Sequence, residues 1–367
     1  MKKNITGITF EELETDIRSA GFPKYRAKQV FEWIHKKKKD RFEDMVNIGE
    51  ELKAMLEEAY ILNYPEAENI RKSEKDDTIK FLFVMRDGAA VESVFLNNKE
   101  RFTVCVSSQA GCGCGCVFCA TAKSGFRRDL ESGEIIGQIY AVEKYTGRKM
   151  DNIVFMGMGE PLCNWENLRR AIMVMGESRG RCMSFSRMTL STVGVVPGIR
   201  ELADNGPAVN LAVSLITTDE KLRRKLVPYT AKYGLNDIKE ASLYYNKKTG
   251  RLITYEYILF KGLNDSIADA HKTLGFLKGI KYKMNLIPYN NAGNNEFRPA
   301  ERERALEFQK VFVDKGIKTF LRREKGTDIS AACGQLAGYS KKKNEKTGQC
   351  GIKRSDKIKS KKTQIKK

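Results

Sequence analysis

From about residue 101 the chain alternates short apolar runs with helical stretches, and this alternation limits its possible folds more than any other feature. Candidate strands fall at residues 102–107, 152–156, 188–192, 209–215, 252–260 and 282–287, and helical periodicity occupies 134–145, 166–175 and 268–277. Strands separated by helices cannot pair as hairpins, so six such units predict an α/β fold with a parallel sheet. Right-handed crossovers would curl that sheet into a barrel or part of one, with its chemistry at the carboxyl ends of the strands. No internal repeat of solenoid length interrupts the pattern.

Residues 1–98 read as an accessory domain. Over 24–37, Ala27, Val30, Phe31 and Ile34 fall at i, i+3, i+4 and i+7, the stripe of a helix that packs one face. A second helix is predicted over 48–60, with Ile48, Leu52, Met55, Leu56 and Ala59 inward. Between them Lys36, Lys37, Lys38 and Lys39 form a basic cluster that reads either as a phosphate contact or as a solvated helix end. Runs at 78–84 and 89–96 flank Arg86-Asp87-Gly88, a turn signal, and predict a hairpin.

With 41% hydrophobic and 31% charged residues, the 367-residue chain can bury a sizeable core and falls outside the disordered class. No apolar run has the length of a membrane span. The basic start leads into Glu11-Glu12-Leu13-Glu14 instead of an apolar stretch, so no secretory signal is expected, and a cytoplasmic location is. Of the net charge of +20, half lies in 340–367, where twelve basic residues face Glu345 and Asp356. A segment like 341–367 stays solvated, either as a counterion-releasing contact to nucleic acid or as a solubilising tail. No amphipathic apolar face accompanies the charge, which disfavours a membrane role.

Nine cysteines in a chain without an export signal point to metal or redox chemistry, and their spacing narrows it. Directly after the first core strand comes GCGCGCVFC at 111–119, in which Cys112, Cys116 and Cys119 have the spacing C-x3-C-x2-C. Three thiolates on a glycine-rich loop can wrap a cubane iron–sulfur cluster and leave one iron open. The other readings are a zinc site, which would usually have a fourth Cys or His nearby, and chance clustering. The only histidines, His35 and His271, are both distant in sequence. Cys114 could be taken for a ligand, but a Cys at every second residue aims its side chains poorly at one cluster, so it reads as a bystander.

The same spacing, with an aromatic residue before the last Cys, resembles the radical S-adenosylmethionine (SAM) signature. Further segments narrow the resemblance: CVSSQAGC at 105–112, FCAT at 118–121, FMGMGEPL at 155–162, LST at 190–192, NLIPYN at 285–290 and DISAACGQL at 328–336. Together, and in this order, they are similar to the RlmN/Cfr family of RNA adenine methyltransferases, from the N-terminal helices to about residue 338. The resemblance implies a partial (β/α)6 radical SAM barrel over 99–340, preceded by an RNA-binding accessory domain over 1–98 and followed by the basic, disordered tail over 341–367. It also implies a monomeric enzyme that methylates C2 of an adenosine in 23S rRNA, with tRNA as a second candidate substrate.

Adenine C2 has no lone pair for a polar methyl transfer and its hydrogen is not acidic, so a radical route is required and a cofactor must supply the radical. The resemblance assigns that task to a [4Fe–4S] cluster on Cys112, Cys116 and Cys119, which binds SAM at its open iron and takes an electron from an external donor. It matches Gly159 and Glu160 to the SAM amino group, and Ser191, Ser214, Leu215, Ile216 and Asn290 to other SAM contacts. Cys333 matches the thiol that receives a methyl group from one SAM and loses a hydrogen atom to a radical from a second, so two SAM are used per turnover. The carbon radical then adds to the base and leaves a protein–RNA crosslink. Cys105 matches the thiol that resolves it by forming a disulfide with Cys333, and Glu92 matches the proton acceptor. Without the resemblance, Cys105 reads as a buried strand thiol and Glu92 as a half-exposed strand residue. Cys163, Cys182 and Cys350 match nothing.

Two departures are informative. Ser214-Leu215-Ile216 stands where the family pattern is Ser-Leu-His, which is tolerable if the segment meets SAM through its backbone. Glu160-Pro161-Leu162 resembles the RlmN branch more than the Cfr branch and favours C2 over C8 methylation. The competing readings are C8 methylation, a catalytically drifted iron–sulfur RNA-binding protein, and a glycyl-radical activating enzyme. The separated thiol pair argues against drift, and the last class gives no reason for Ala331-Ala332-Cys333-Gly334.

Overall fold

A computed structural model describes residues 2–99, 101–293 and 296–338, so the tail read from 341 onward lies outside the described residues. The chain opens with three helices, α1 (Phe10–Ser19), α2 (Tyr25–His35) and α3 (Glu50–Ala59), closed off by a short parallel pair, β1 (Lys3–Asn4) with β2 (Tyr60–Ile61). Sequence periodicity missed α1, whose apolar positions Phe10, Leu13 and Ile17 are separated by charge. It starts on a capping box in which Thr9 and Glu12 satisfy each other's amides. In α2 the expected stripe Ala27, Val30, Phe31 and Ile34 is buried. Of the inward set expected for the second helix, Ile48, Leu52 and Leu56 are buried and Met55 half-buried, but Ala59 is exposed. The helix ends there, and Tyr60, leaving as β2, covers the core instead.

The lysine cluster after α2 is more than a solvated end. Lys36 pairs with Glu32 at 2.9 Å, Lys38 with the buried Glu143 at 2.7 Å and Lys39 with Asp44 at 3.8 Å, while Lys37 Nζ lies over the Trp33 ring.

β3 (Ala67–Lys72), β4 (Ile79–Val84) and β5 (Ala90–Asn98) form an antiparallel meander whose second turn is the expected one, and β5 pairs with β6 (Arg101–Cys105). β7 (Gln109–Gly111) and β8 (Phe126–Asp129) then enclose the cysteine loop and a short helix, α4 (Ala120–Lys123). The remaining strands, β9 (Asn152–Phe155), β10 (Met188–Thr192), β11 (Asn210–Ser214), β12 (Ile253–Leu259), β13 (Tyr282–Pro288) and β14 (Thr319–Leu321), continue outward from β6, every pair parallel. Ten strands therefore share one sheet in the order β14 to β9, then β6 to β3. β14 and β3 lie at its two ends, so the sheet is open and the barrel partial.

Helices α5 (Ser132–Thr146), α6 (Trp165–Gly176), α7 (Val196–Asn205), α8 (Glu220–Leu226), α9 (Leu235–Thr249), α10 (Ile267–Phe276) and α11 (Arg302–Val313) connect the parallel strands. α5 is buried along most of its length because the N-terminal helices pack on the side turned away from the sheet. The buried contacts there include His35 Nδ1 to Tyr140 Oη at 2.9 Å, and Arg181 paired with Glu143 at 2.6 Å with both side chains 1% exposed. Among the described residues, no helix is long and apolar enough to cross a membrane.

Candidate active site at the carboxyl ends of the strands

Parallel strands carry their following loops to one end of the sheet, and there the chemically unusual residues collect. The cysteine loop leaves β7 at Gly111, which has φ +77; a Cβ there would stand 1.8 Å from the Gly125 carbonyl oxygen, so only glycine fits. The Cys112 amide donates to that oxygen at 3.0 Å, and the Cys119 amide to Cys116 O at 3.1 Å, which ties the loop into a tight coil. Cys112, Cys116 and Cys119 line one cavity, with Cys114 beside them. Among the described residues no three Cys, His, Asp or Glu side chains converge on a point that could hold a single ion. Three thiols on one loop fit a cubane, which presents its irons at separate corners.

Burial and the neighbouring thiols push the Cys116 thiol well up from its usual range, and burial does the same to Cys119. Iron would supply the positive charge that holds both as thiolates. A protein cation also lies close by. Arg223 on α8 is fully buried, donates from Nη2 to Val193 O at 2.7 Å and Ser214 O at 3.1 Å, and leaves Nε and Nη1 without a protein partner. Sequence reading missed it, because nothing in the charged run Glu220–Leu226 distinguishes the one arginine that turns inward.

Across the cavity from the cysteines stand Gly159, Glu160, Ser191, Ser214, Ile216 and Asn290. Gly159, at φ +99, lets the turn after β9 pass close to Gln109, whose side-chain oxygen accepts the Glu160 amide at 2.8 Å. The Glu160 carboxylate accepts from the amides of Leu162 at 3.1 Å and Val193 at 2.8 Å. Burial nevertheless outweighs these bonds and raises its pKa to about 8, which leaves it suited to an incoming ammonium group. Asn290 donates to Cys333 O at 3.3 Å and keeps its own side-chain oxygen buried without a partner. Leu215 does not reach the cavity: its side chain is in the core and its amide donates to Glu256 O at 3.0 Å.

Glu256 lines the same cavity and was not marked by the sequence reading, although an acid inside the apolar strand β12 was the available signal. Its Oε1 accepts from Asn285 at 2.9 Å, while Oε2 faces Arg322 at 3.8 Å. Arg322, just past β14, also borders a second cavity, lined by Cys105, Met156, Asn290, Cys333 and Leu336 among others. The two cavities adjoin along a shared wall that includes Cys119, Asn290, Arg322 and Cys333. Cys105, at the end of β6, has its thiol pushed up to about 12, chiefly by burial and then by Cys333, with Arg322 opposing. Cys333 itself is exposed, and so are Cys163 and Cys182; Cys350 lies outside the described residues.

The segment carrying Cys333 is fastened to the helix that follows the cysteine loop. The Ala120 amide donates to Gly334 O at 2.8 Å, Thr121 Oγ1 to Leu336 O at 2.5 Å and Ser124 Oγ to Ala337 O at 2.8 Å. Glu92 lines neither cavity. It is buried under the same segment, where its Oε2 accepts the Ala337 amide at 2.9 Å.

Comparison with known proteins agrees with this arrangement. Residues 3–62 match the ribosomal RNA large subunit methyltransferase N-terminal domain, and residues 106–274 match the radical SAM superfamily. A probable dual-specificity RNA methyltransferase RlmN from Thermotoga maritima is 42% identical over 334 residues, covering 91% of this chain and 97% of that protein. Another from Clostridium botulinum is 41% identical over 347 residues, covering 95% and 100%. The crystal structure of a radical SAM methyltransferase from Sphaerobacter thermophilus superposes with a TM-score of 0.87 at 37% identity, covering 91% of this chain and 99% of that one. With the cysteine loop, the carboxyl-end cavity and both regions of the chain matched at this level, the protein belongs to the RlmN family of radical SAM RNA methyltransferases.

Proposed function

We propose that this enzyme methylates C2 of an adenosine in 23S rRNA and in tRNA through a methyl group carried on Cys333. The observation that carries the reading is the place of Cys333 in the wall shared by two cavities, one lined by the cluster thiols and the SAM-matching residues, the other by Cys105. A carrier has to face the radical source on one side and the base on the other, and a residue in such a wall can do both. The relatives named as dual-specificity RNA methyltransferases favour two RNA substrates.

In this reading Cys112, Cys116 and Cys119 hold a [4Fe–4S] cluster, and Glu160 with Ser191, Ser214, Ile216 and Asn290 holds SAM. Bound there, the two cofactors would supply radical chemistry, one SAM as methyl donor and a second, cleaved with one electron from the donor, as the source of the radical that takes a hydrogen atom. Glu160 receives the ammonium of SAM and excludes water from that end of the cavity. Cys333 accepts the methyl group on its sulfur, and the methyl carbon, once it has lost a hydrogen atom, bonds to the base. Glu92 takes the proton lost from C2, and the single electron that leaves the adduct with it would return to the cluster, replacing the one spent on the second SAM. Cys105 then attacks the Cys333 sulfur, forming a disulfide as the carbon–sulfur bond to the base breaks and the methyl group is completed. Two electrons from the cellular donor return the disulfide to thiols. Pro161, in place of the alanine of the Cfr branch, favours C2 over C8.

The test is mass spectrometry of nucleosides from rRNA and tRNA incubated with and without the enzyme, SAM and a reductant. 2-Methyladenosine in both RNAs is expected, whereas 8-methyladenosine would move the assignment to the other carbon.

A further inference from the structure

The carboxylate of Glu92 is occupied on both oxygens. Oε2 accepts the amides of Ala337 at 2.9 Å and Gly338 at 3.4 Å, on the far side of the Cys333 loop. Oε1 faces Lys80 Nζ at 3.1 Å, and the same ammonium donates to Ser330 O at 3.2 Å, on the near side of that loop. Lys80 and Glu92 are each only 7% exposed. They sit diagonally across the β4–β5 ladder, where Lys80 pairs with Val94 and Glu92 with Leu82.

A lysine on the apolar strand Ile79–Val84 is costly unless its charge is used, and here the ammonium meets the Glu92 carboxylate and the carrier loop. Ser330 adds a second sign, since it is held at φ +54, a conformation that a serine adopts only when its surroundings impose it. We propose that Lys80 is a positioning residue: it fixes the Glu92 carboxylate and, with it, clamps both ends of the Cys333 loop, so that the proton acceptor and the methyl carrier are held in one register. The clamp has a mechanical consequence. Glu92 lines neither cavity and lies under Ala337 and Gly338, so the loop has to lift there before a base can reach the carboxylate, and Lys80 keeps the carboxylate in place while it does. The meander β3 to β5 thus acts on catalysis without itself lining either cysteine-bearing cavity with this pair.

The inference rests on the proton-acceptor reading of Glu92 for its catalytic half, while the clamp itself stands on geometry alone. The test compares Lys80→Met, Lys80→Gln and Lys80→Arg in the full-length, cluster-loaded enzyme. Hydrogen exchange of the peptide spanning 326–338 reads the clamp, and kcat and KM for RNA methylation read its catalytic effect. For Lys80→Met, exchange about tenfold faster is expected, with kcat falling and KM for RNA nearly unchanged. Lys80→Arg, which keeps the cation and its hydrogen bonds, should restore both readouts. Lys80→Gln covers the case in which an unpaired Glu92 prevents the Met variant from folding, and it should behave as the Met variant otherwise. Unchanged exchange and kcat in the uncharged variants would overturn the inference, as would an Arg variant no better than Gln. If Glu92→Gln methylates at the parental rate, the proton-acceptor reading fails, and the exchange data still decide the clamp.

Discussion

Asn264 Nδ2 donates to the Ile216 carbonyl at 2.8 Å, and this bond holds a β-branched residue at φ +67 in the wall of the cavity that contains the cysteine loop. Such a conformation costs about 1–3 kcal/mol for a non-glycine residue, and histidine enters it more readily than isoleucine does. The family's histidine at this position therefore has a backbone reason that is independent of any contact to SAM. Replacing Ile216 with His should change SAM affinity by less than about tenfold, roughly 1.4 kcal/mol. Anaerobic calorimetric titration of the cluster-loaded protein measures it, and a much tighter His variant would show that the imbalance lies in a lost imidazole contact.

The sequence made some parts of this molecule legible for a physical reason. Strands such as Ile253–Leu259, buried on both faces, read as largely apolar runs, here broken by Thr254 and Glu256, and the cysteine loop and Gly159-Glu160 are local patterns in which neighbours in sequence remain neighbours in the site. β14 escaped because three residues carry no period, and α1 because charge separates its buried positions. Lys80, Arg223, Glu256 and Arg322 escaped for another reason. Each is a single polar residue on a different element, and only the packing of β4, α8, β12 and β14 brings them to the same end of the sheet.

The ligand set makes a sharp prediction. Anaerobically reconstituted protein should hold about four irons per chain, and Cys112→Ala, Cys116→Ala or Cys119→Ala should each lose them. Cys114→Ala should keep the cluster, since that thiol belongs to the wall beside Cys112. Iron and sulfide analysis with the visible absorbance spectrum reads the result; loss of iron in the Cys114 variant would put Cys114 in the ligand set.

His35 links stability to pH. Burial, helped by Arg181, lowers its pKa from 6.5 to about 3, so the folded protein keeps the ring neutral where the unfolded chain protonates it. Below pH 6.5 the unfolded state then binds more protons, and stability falls as pH falls. From pH 7.5 to pH 5 the loss from this one ring is about 2 kcal/mol. Denaturant melts at the two pH values measure it. His35→Phe leaves the Tyr140 hydroxyl without its partner and should be less stable at pH 7.5, but with a flatter dependence on pH.

In the proposed mechanism Cys105 sets the pH dependence of crosslink resolution. With its thiol pushed up to about 12, only a minute fraction is thiolate at neutral pH. The thiolate is the attacking species, so resolution should speed up about tenfold per pH unit from pH 7 to 9, without a plateau. Single-turnover quench experiments on preformed adduct follow the step directly. A plateau near pH 8 would mean that RNA in the second cavity lowers the thiol pKa, or that another group is the resolver.

The two thiols should fail differently when removed, because the proposed mechanism has them act on opposite sides of the crosslink. Of this pair, Cys333 borders both cavities and Cys105 only the second, which in the proposed mechanism puts Cys333 in the carrier's place. Cys333→Ala has no carrier sulfur, and no protein–RNA adduct should form. Cys105→Ala can still load Cys333 and add to the base, but no thiol then attacks the carrier sulfur, and the adduct should persist. Denaturing gel electrophoresis after incubation with RNA, SAM and a reductant separates the outcomes, with nuclease treatment identifying the shifted band. Trapped adduct in both variants, or in neither, would reject the division of labour between carrier and resolver.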